Sequence, residues 1–242
     1  MPTRELVSRD LHRLELGAEC LDYVLVRRRG RRGVGLRVDA TGLTVNAPST
    51  MPLARIEALV RESERWILRK VAEWSARRVA PLEWVDGVPL PFLGGTLALR
   101  LAAGGRSSVE RFEDELRVRV RKGGETEVKR CVIRWYKRAA LEHLGQRVAD
   151  LSRAAGLAPP RLALSGALAR WGSCNTRREV RLAWRLVKAP RELVDYVICH
   201  ELAHLRHMNH SRAFWAEVER LCPDYRRLRD ELFATDHLYR AF

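Results

Sequence analysis

The sequence predicts an α+β protein, with an antiparallel, β-rich N-terminal part that contains a helix and a helical C-terminal part that contains a small sheet. Alternating apolar residues and glycine turns dominate the first half, whereas apolar residues at helical spacing dominate the second. The change of period predicts a tail over 1–20, a β-rich domain over 21–124 and a second domain over 125–242. With 242 residues, 46% of them hydrophobic, the chain is long enough to bury a substantial core.

The N-terminal domain is predicted to begin with a three-stranded antiparallel meander. Runs of β-type residues are separated by Gly30, Gly33 and Gly42. Apolar residues at helical spacing then predict a helix from Leu53 to about Trp74. The predicted meander strands are 23–26, 36–38 and 43–47, and two later period-2 strands are 97–101 and 116–120.

The second domain is predicted to begin with a long helix over 125–155, whose apolar stripe indicates one buried face. Pro190 predicts the start of a later helix, because the first turn does not need the missing proline N–H. Ser211 is expected to cap the helix after that one. The elements in between are two short strands and the loop that separates them, at 162–164, 180–182 and 170–175. No internal repeat is visible in the sequence.

The chain is strongly basic. Lysine and arginine total 45 against 30 acidic residues, which gives a formal charge of +15, and only five of the cations are lysine. Such a surplus attracts DNA and other polyanions through counterion release, and its densest cluster is 27–32. The alternative is that a GC-rich genome supplies arginine wherever a basic surface residue is tolerated, since the arginines are spread over the whole chain.

The composition also predicts a cytoplasmic protein. Its five cysteines are scattered without a C-x-x-C pair, which indicates reduced thiols rather than a disulfide scaffold. No run approaches the roughly 18 apolar residues of a membrane-spanning helix. Residues 1–17 lack the apolar block of a signal peptide. We therefore expect no membrane partner, and the sequence does not determine an oligomeric state.

The most informative segment is His200-Glu201-Leu202-Ala203-His204. Residues four apart lie on one face of a helix, so that His200 and His204 can place two imidazole nitrogens on one metal ion. Glu201 lies one step around the helix, where its carboxylate can reach a water on that metal. This H-E-x-x-H arrangement is typical of zinc hydrolases. A lone helical histidine is usually structural, but two imidazoles and a carboxylate on an apolar helix are costly to bury without a metal.

The third ligand is predicted to be His210, with two alternatives left open. His210 follows His204 by six residues, and Asn209 tolerates the left-handed backbone that would turn the chain back to the metal. Glu217 or Glu219, on the following helix, could bind instead, as in glutamate-zincins. His210 is favoured because imidazole suits zinc, and one Zn²⁺ per chain is expected.

The longer metzincin pattern, H-E-x-x-H-x-x-G-x-x-H followed by a Met-turn, does not fit this sequence. His207 stands where that pattern has glycine, and no methionine follows Met208. We expect His207 to lie behind the metal ligands or at the surface.

The chemistry predicted from these residues is hydrolysis of a peptide bond in a peptide or protein substrate. Zinc with three protein ligands leaves a position for water and lowers the pKa of that water towards about 7. Glu201 would accept the water's proton and pass it to the leaving amine. Arg170, His207 and Tyr225 are candidates for stabilising the oxyanion, although each also has a structural explanation.

Short motifs accumulate in the last third of the chain, at 170–174, 195–197, 200–204, 208–211, 214–215 and 223–225. Together they resemble the YgjP-like metallopeptidases, bacterial proteins of the zincin fold, and the resemblance covers roughly 21–235. It implies zinc bound by His200, His204 and His210, with Glu201 as the catalytic residue. The histidine spacing is also similar to that of WLM and SprT-like proteases, which act on proteins attached to DNA, and this implies a possible use for the arginine surplus.

A different class of function is a non-catalytic nucleic-acid-binding module in which zinc only holds the C-terminal helices together. A structural zinc site closes its fourth position with protein, usually with cysteine. Cys199 precedes His200 but points to another side of the helix, so it is poorly placed to bind the same ion. A fourth protein ligand would distinguish this module from an enzyme.

Overall fold

A computed structural model describes residues 5–17, 19–39, 41–76, 80–121 and 124–242, and it confirms the α+β class. The contacts divide the chain into two compact units, Met1–Val79 and Ala80–Phe242. This division differs from the boundary at 124 that the sequence predicts. The second group of strands belongs with the long helix because Leu99 and Val118 share one apolar core with Val132.

The described part of the first unit contains four strands followed by two helices. They are β1 (Leu6–Leu16), β2 (Glu19–Arg28), β3 (Gly35–Asp39), β4 (Gly42–Pro48), α1 (Leu53–Glu62) and α2 (Glu64–Ala76). The strand order is β1-β2-β4-β3, with β2 and β4 parallel and the other two pairs antiparallel. Their common core includes Tyr23, Val45, Ile56 and Ile67.

Two predictions about this unit are corrected by the structure. Much of the predicted tail is β1, which pairs with β2 from Leu16 back to Leu6 because Leu14 and Leu16 are buried in the core; residues 1–4 of the tail lie outside the described residues. The predicted meander is also wrong, since β4 lies between β2 and β3. Val45 is fully buried, which suits this interior position of the strand.

The described part of the second unit contains eleven elements of regular structure besides a long helix. They are β5 (Pro89–Phe92), β6 (Gly95–Ala103), β7 (Ser108–Phe112), β8 (Glu115–Val120), α3 (Glu125–Ala154), β9 (Arg161–Ser165), β10 (Gly172–Cys174), β11 (Glu179–Ala183), a 3₁₀ turn (Trp184–Lys188), α4 (Arg191–Ala203), α5 (Arg212–Leu221) and α6 (Tyr225–Arg240). No described helix is both long and apolar enough to cross a membrane.

The first sheet of this unit repeats the topology of the sheet in the first unit. Its order is β5-β6-β8-β7, again with a parallel central pair flanked by two antiparallel pairs. A second sheet has the order β10-β11-β9, with β10 at one edge and antiparallel to β11. The sequence predicts β10 only as a loop, because three residues are too few to show a period.

Helix α3 carries the core that joins these elements. Val128, Val132 and Tyr136 are buried on one face, and the Tyr136 hydroxyl donates to the carbonyl oxygen of Pro91 at 2.7 Å. Farther along α3, the guanidinium of Arg147 donates twice to the carboxylate of Asp195 on α4, at 2.6 and 2.8 Å. These contacts fix α4 against α3.

Replacing Tyr136 with Phe tests the hydrogen bond from α3 to β5. We expect Tyr136→Phe to lower the free energy of unfolding by about 1–2 kcal/mol, because the carbonyl of Pro91 loses its donor inside the core. Chemical denaturation followed by circular dichroism would measure this. Tyr239→Phe is the matched control, since its hydroxyl makes no hydrogen bond with the described residues, and an equal loss there would contradict the assignment.

Candidate metal centre

Two of the predicted ligands lie at the C-terminal end of α4. Pro190 precedes the helix as predicted, and His204 ends it with right-handed helical backbone, φ −64° and ψ −20°. The helix therefore continues in register from His200 to His204, and their ring centroids are 5.1 Å apart. The rest of α4 is anchored by buried apolar side chains, among them Leu193, Val197, Ile198 and Leu202.

The segment between α4 and α5 brings the third histidine back to the first two. The Nδ1 of His204 lies 3.0 Å from the carbonyl oxygen of His207, so that its Nε2 is left for another partner. Ser211 caps α5 as predicted, accepting a hydrogen bond from the Phe214 amide at 3.4 Å. The His210 ring then lies 5.2 Å from that of His200 and 4.8 Å from that of His204.

The donor atoms of these three rings suit a metal ion. All lie within 4.8 Å of one another, and the Nε2 atoms of His200 and His210 are 3.2 Å apart. Two imidazole nitrogens that share a tetrahedral zinc are separated by about 3.3 Å, given Zn–N distances near 2.0–2.1 Å. Burial lowers the pKa of His200 to about 4, with smaller contributions from His204 and His210. Neutral imidazoles are the form that a metal needs.

The three imidazoles rest on an apolar floor that the sequence did not identify. The fully buried ring of Phe214 lies 4.9 Å from the His200 ring, 4.5 Å from His204 and 4.7 Å from His210. Trp215 lies beside His200 and His210 and stacks on Tyr225 at 5.5 Å. These rings restrict the rotation of the imidazoles and exclude water from one side of the cluster.

Glu201 is buried next to the cluster, with only 5% of its surface exposed. Its Oε2 atom has no hydrogen-bond partner among the described residues. Burial raises the pKa of Glu201 to about 7, and the charge of Arg170 opposes this shift. The carboxyl group can therefore gain or lose a proton near neutral pH.

Glycine at position 172 makes room for this carboxyl group. A Cβ atom at Gly172, the first residue of β10, would lie 2.4 Å from Oε1 of Glu201 and 2.6 Å from its Cγ. The edge strand and α4 can approach this closely only because Gly172 has no side chain. The sequence assigns no function to Gly172. The motif at 170–174, which contains this glycine, is the sequence feature that points to the position.

The alternative ligands lie elsewhere. Glu217 is 8% exposed and accepts two hydrogen bonds from Arg220, at 2.8 and 3.0 Å, while Arg206 lies 3.4 Å away. Glu219 is 3.8 Å from Arg226. The Cys199 thiol points towards the Leu221 carbonyl oxygen at 3.6 Å. Within the described residues, the cluster of potential ligands consists of His200, His204 and His210 alone.

The candidates for oxyanion stabilisation have different surroundings. Arg170 is exposed and close enough to Glu201 to affect its pKa. The carbonyl oxygen of His207 lies 3.0 Å from Nδ1 of His204 and fixes the orientation of that ring. Tyr225 is 5% exposed and packs on Trp215, which is a structural role.

The chain matches a known protein family over most of its length. Residues 32–235 match the family described as YgjP-like, metallopeptidase domain, which confirms the resemblance inferred from the motifs. Two crystal structures of metallopeptidase zymogens are also similar to part of the chain. Pyrococcus abyssi abylysin is 21% identical with a TM-score of 0.36, covering 41% of this chain and 98% of that one. Methanocaldococcus jannaschii jannalysin is 19% identical with a TM-score of 0.31, covering 37% and 96%. Similarities of this size do not bear on the chemistry, and no curated protein matches the chain.

Substitution of Gly172 tests the contact between β10 and Glu201. We expect Gly172→Ala to destabilise the protein by about 1–3 kcal/mol, because the added methyl group overpacks the buried carboxyl group. Thermal unfolding would measure the change. Gly166→Ala is the control, since a Cβ there meets nothing within 4 Å. Equal unfolding temperatures for the two variants would show that the contact is not tight.

Proposed function

This chain belongs to the YgjP-like metallopeptidase family, and on this basis we propose that it hydrolyses peptide bonds with one Zn²⁺ held by His200, His204 and His210. The observation that carries the proposal is the convergence of three ring nitrogens beside a buried glutamate. Among the described residues, Oε2 of Glu201 and Nδ1 of His200 have no hydrogen-bond partner. No described protein group therefore satisfies either buried atom.

Each residue of the site has a separate task in this proposal. When bound, the zinc ion supplies a Lewis acid that polarises the scissile carbonyl group and makes a water molecule more acidic. Oε2 of Glu201 accepts the proton of that water and later donates it to the leaving nitrogen. Oε2 has no hydrogen-bond partner among the described residues, so that it is available for both transfers. His204 keeps its orientation through its bond to the His207 carbonyl.

The edge strand β10 supports a peptide as the substrate. One side of β10 is paired with β11, and no described strand pairs with its other side. An extended peptide can add to such an edge through backbone hydrogen bonds. Because Gly172 brings the start of β10 against Glu201, a peptide bound there would have its backbone next to the carboxyl group.

The free cysteines and the positive charge support a cellular environment and a class of substrate for this activity. All five cysteines are free, which supports a reducing, cytoplasmic environment. The formal charge of +15 supports substrates associated with DNA or another polyanion. The alternative of a purely structural zinc site lacks the fourth protein ligand that such sites use, within the part of the chain that the structure describes.

Glu201→Gln tests the assignment of the base. We expect this variant to lose hydrolysis of a casein or short peptide substrate by about 10²–10⁴-fold, because an amide cannot accept the proton. It should still bind one equivalent of zinc, measured by atomic emission after dialysis. A variant with wild-type turnover would remove Glu201 from the mechanism.

His210→Ala and Glu217→Gln together test the third ligand. We expect His210→Ala to lower zinc affinity by at least about 10-fold and to stop hydrolysis, since the third ligand is lost. Glu217→Gln should keep the zinc equivalent, although its lost ion pairs with Arg206 and Arg220 reduce stability. Zinc titration against a chromophoric chelator would measure both. Loss of zinc only in Glu217→Gln would assign the metal to the glutamate instead.

A further inference from the structure

The exposed face of the first half of α3 has a concentrated positive charge. Lys129, Arg130, Arg134 and Lys137 surround the half-buried side chain of Ile133 there. They line a shallow groove of about 460 Å³, together with Thr126, and all of its lining residues belong to α3. We call these four cations the basic face of α3.

The basic face is not neutralised by the protein itself. None of its four side chains has a hydrogen bond or an ion pair with another described residue, whereas arginines elsewhere in the same unit, such as Arg147 and Arg220, bind a carboxylate. The nearest acidic residues along the helix lie beyond both ends of the face. Glu127 accepts a hydrogen bond from Ser107 at 2.8 Å, and Glu142 is more than one turn past Lys137. The positive potential of this face is therefore directed at solvent.

The geometry of α3 keeps the four charges together. With a rise of 1.5 Å and a rotation of 100° per residue, they extend over about 12 Å of the axis and about 140° of the circumference. The opposite face of the helix is buried through Val128, Val132 and Trp135. The backbone that carries the cations is thus fixed, and a ligand meets a preformed row of charges.

We propose that the basic face of α3 binds the phosphate backbone of a nucleic acid. A polynucleotide carries a regular row of charges that matches a row of cations along a helix, and its binding releases counterions. Among the described residues that line the groove, Thr126 is the one neutral polar side chain, and the predominance of cations favours contacts with phosphate oxygens. A helix that lies in a membrane surface would instead expose a broad stripe of large apolar residues, whereas the apolar side chain among these cations, Ile133, is half-buried.

This inference deepens the proposed function by giving nucleic-acid-associated proteins as the substrate class, and in that respect it rests on the proposed peptidase activity. The binding surface itself does not depend on hydrolysis. The metal centre lies on the C-terminal end of α4 and the segment that follows it, so that substitutions on the exposed face of α3 leave its residues in place.

Fluorescence anisotropy with a labelled duplex and a labelled single strand of about 20 nucleotides tests the proposal, between about 50 and 200 mM salt. We expect the whole chain to bind both, with affinity that falls steeply with salt. Lys129→Gln, Arg134→Gln and Lys137→Gln combined should weaken duplex binding at least 10-fold at the low salt concentration. They should also reduce the slope of log affinity against log salt by about 2.7, or 0.9 for each lost phosphate contact.

The matched control removes the same charge from other places. Arg55, Arg65 and Arg161 are also exposed and make no side-chain ion pair with the described residues, but they lie on α1, α2 and β9. The triple glutamine variant of these arginines should keep affinity within about 3-fold and change the slope by less than one. The charge-preserving pair Lys129→Arg and Lys137→Arg should bind as the wild type does.

Three outcomes would overturn the proposal: no oligonucleotide binding by the wild type, equal losses in the two triple variants, or capture by phosphatidylserine vesicles without oligonucleotide binding. Hydrolysis of a short, uncharged peptide keeps this test separate from the peptidase proposal. The α3 variant should hydrolyse that peptide as the wild type does, and Glu201→Gln should bind the oligonucleotide fully. An inactive wild type that still binds DNA through α3 would reject the proposed function alone.

Discussion

The burial of Glu201 is the constraint on which the rest of the site depends. A carboxyl group that is 5% exposed, with one oxygen lacking a hydrogen bond, is unfavourable in a protein interior unless its surroundings are fixed. Helix α4 fixes them, because its other sides are held by the apolar core and by the pair of hydrogen bonds between Arg147 and Asp195. Gly172 then lets β10 approach one side of the carboxyl group more closely than any residue with a side chain could.

The same desolvation sets the state of the histidines. It holds His200 in the neutral form and leaves its Nδ1 without a partner in the described structure, while Phe214 supports all three rings from below. Burying nitrogen and oxygen atoms that have no hydrogen-bond partner lowers the free energy of unfolding. A bound cation offsets part of this cost, since its affinity for the native state adds to stability. Metal binding and the folding of the α4–α5 region are therefore coupled.

Elements with a long sequence pattern could be predicted from the sequence, whereas elements of only a few residues could not. Helix α3 has thirty residues of helical period, and the pair His200 and His204 follows from a spacing of four, so both could be predicted locally. Strand β10 has three residues, and the break at Ser63 that divides the predicted 53–74 helix into α1 and α2 has no proline or glycine to mark it. Strand β1 was missed because charged residues such as Arg9 and Arg13 occupy its exposed positions, which made 6–16 resemble a polar tail.

Contacts between residues that are far apart in the sequence could not be predicted from the spacing of residues along the chain. The sequence favours His210 as the third ligand but leaves Glu217 open, and its ion pairs with Arg206 and Arg220 show that the charge of Glu217 is already balanced. The parallel pairing of β2 with β4 likewise depends on which strand is buried enough to be central.

Helix α3 connects the two chemical features of the second unit. Its first half presents the basic face, and its second half contacts α4, which carries two of the three histidines. Thirty residues of helix extend over about 45 Å, so that a polymer bound to the basic face and the metal centre lie within the dimensions of one domain. A protein attached to that polymer would be kept near the metal centre at a raised local concentration, even if its own affinity for β10 were low. Substrate selection would then be set by charge on α3, and the peptide-binding strand could remain short and unselective.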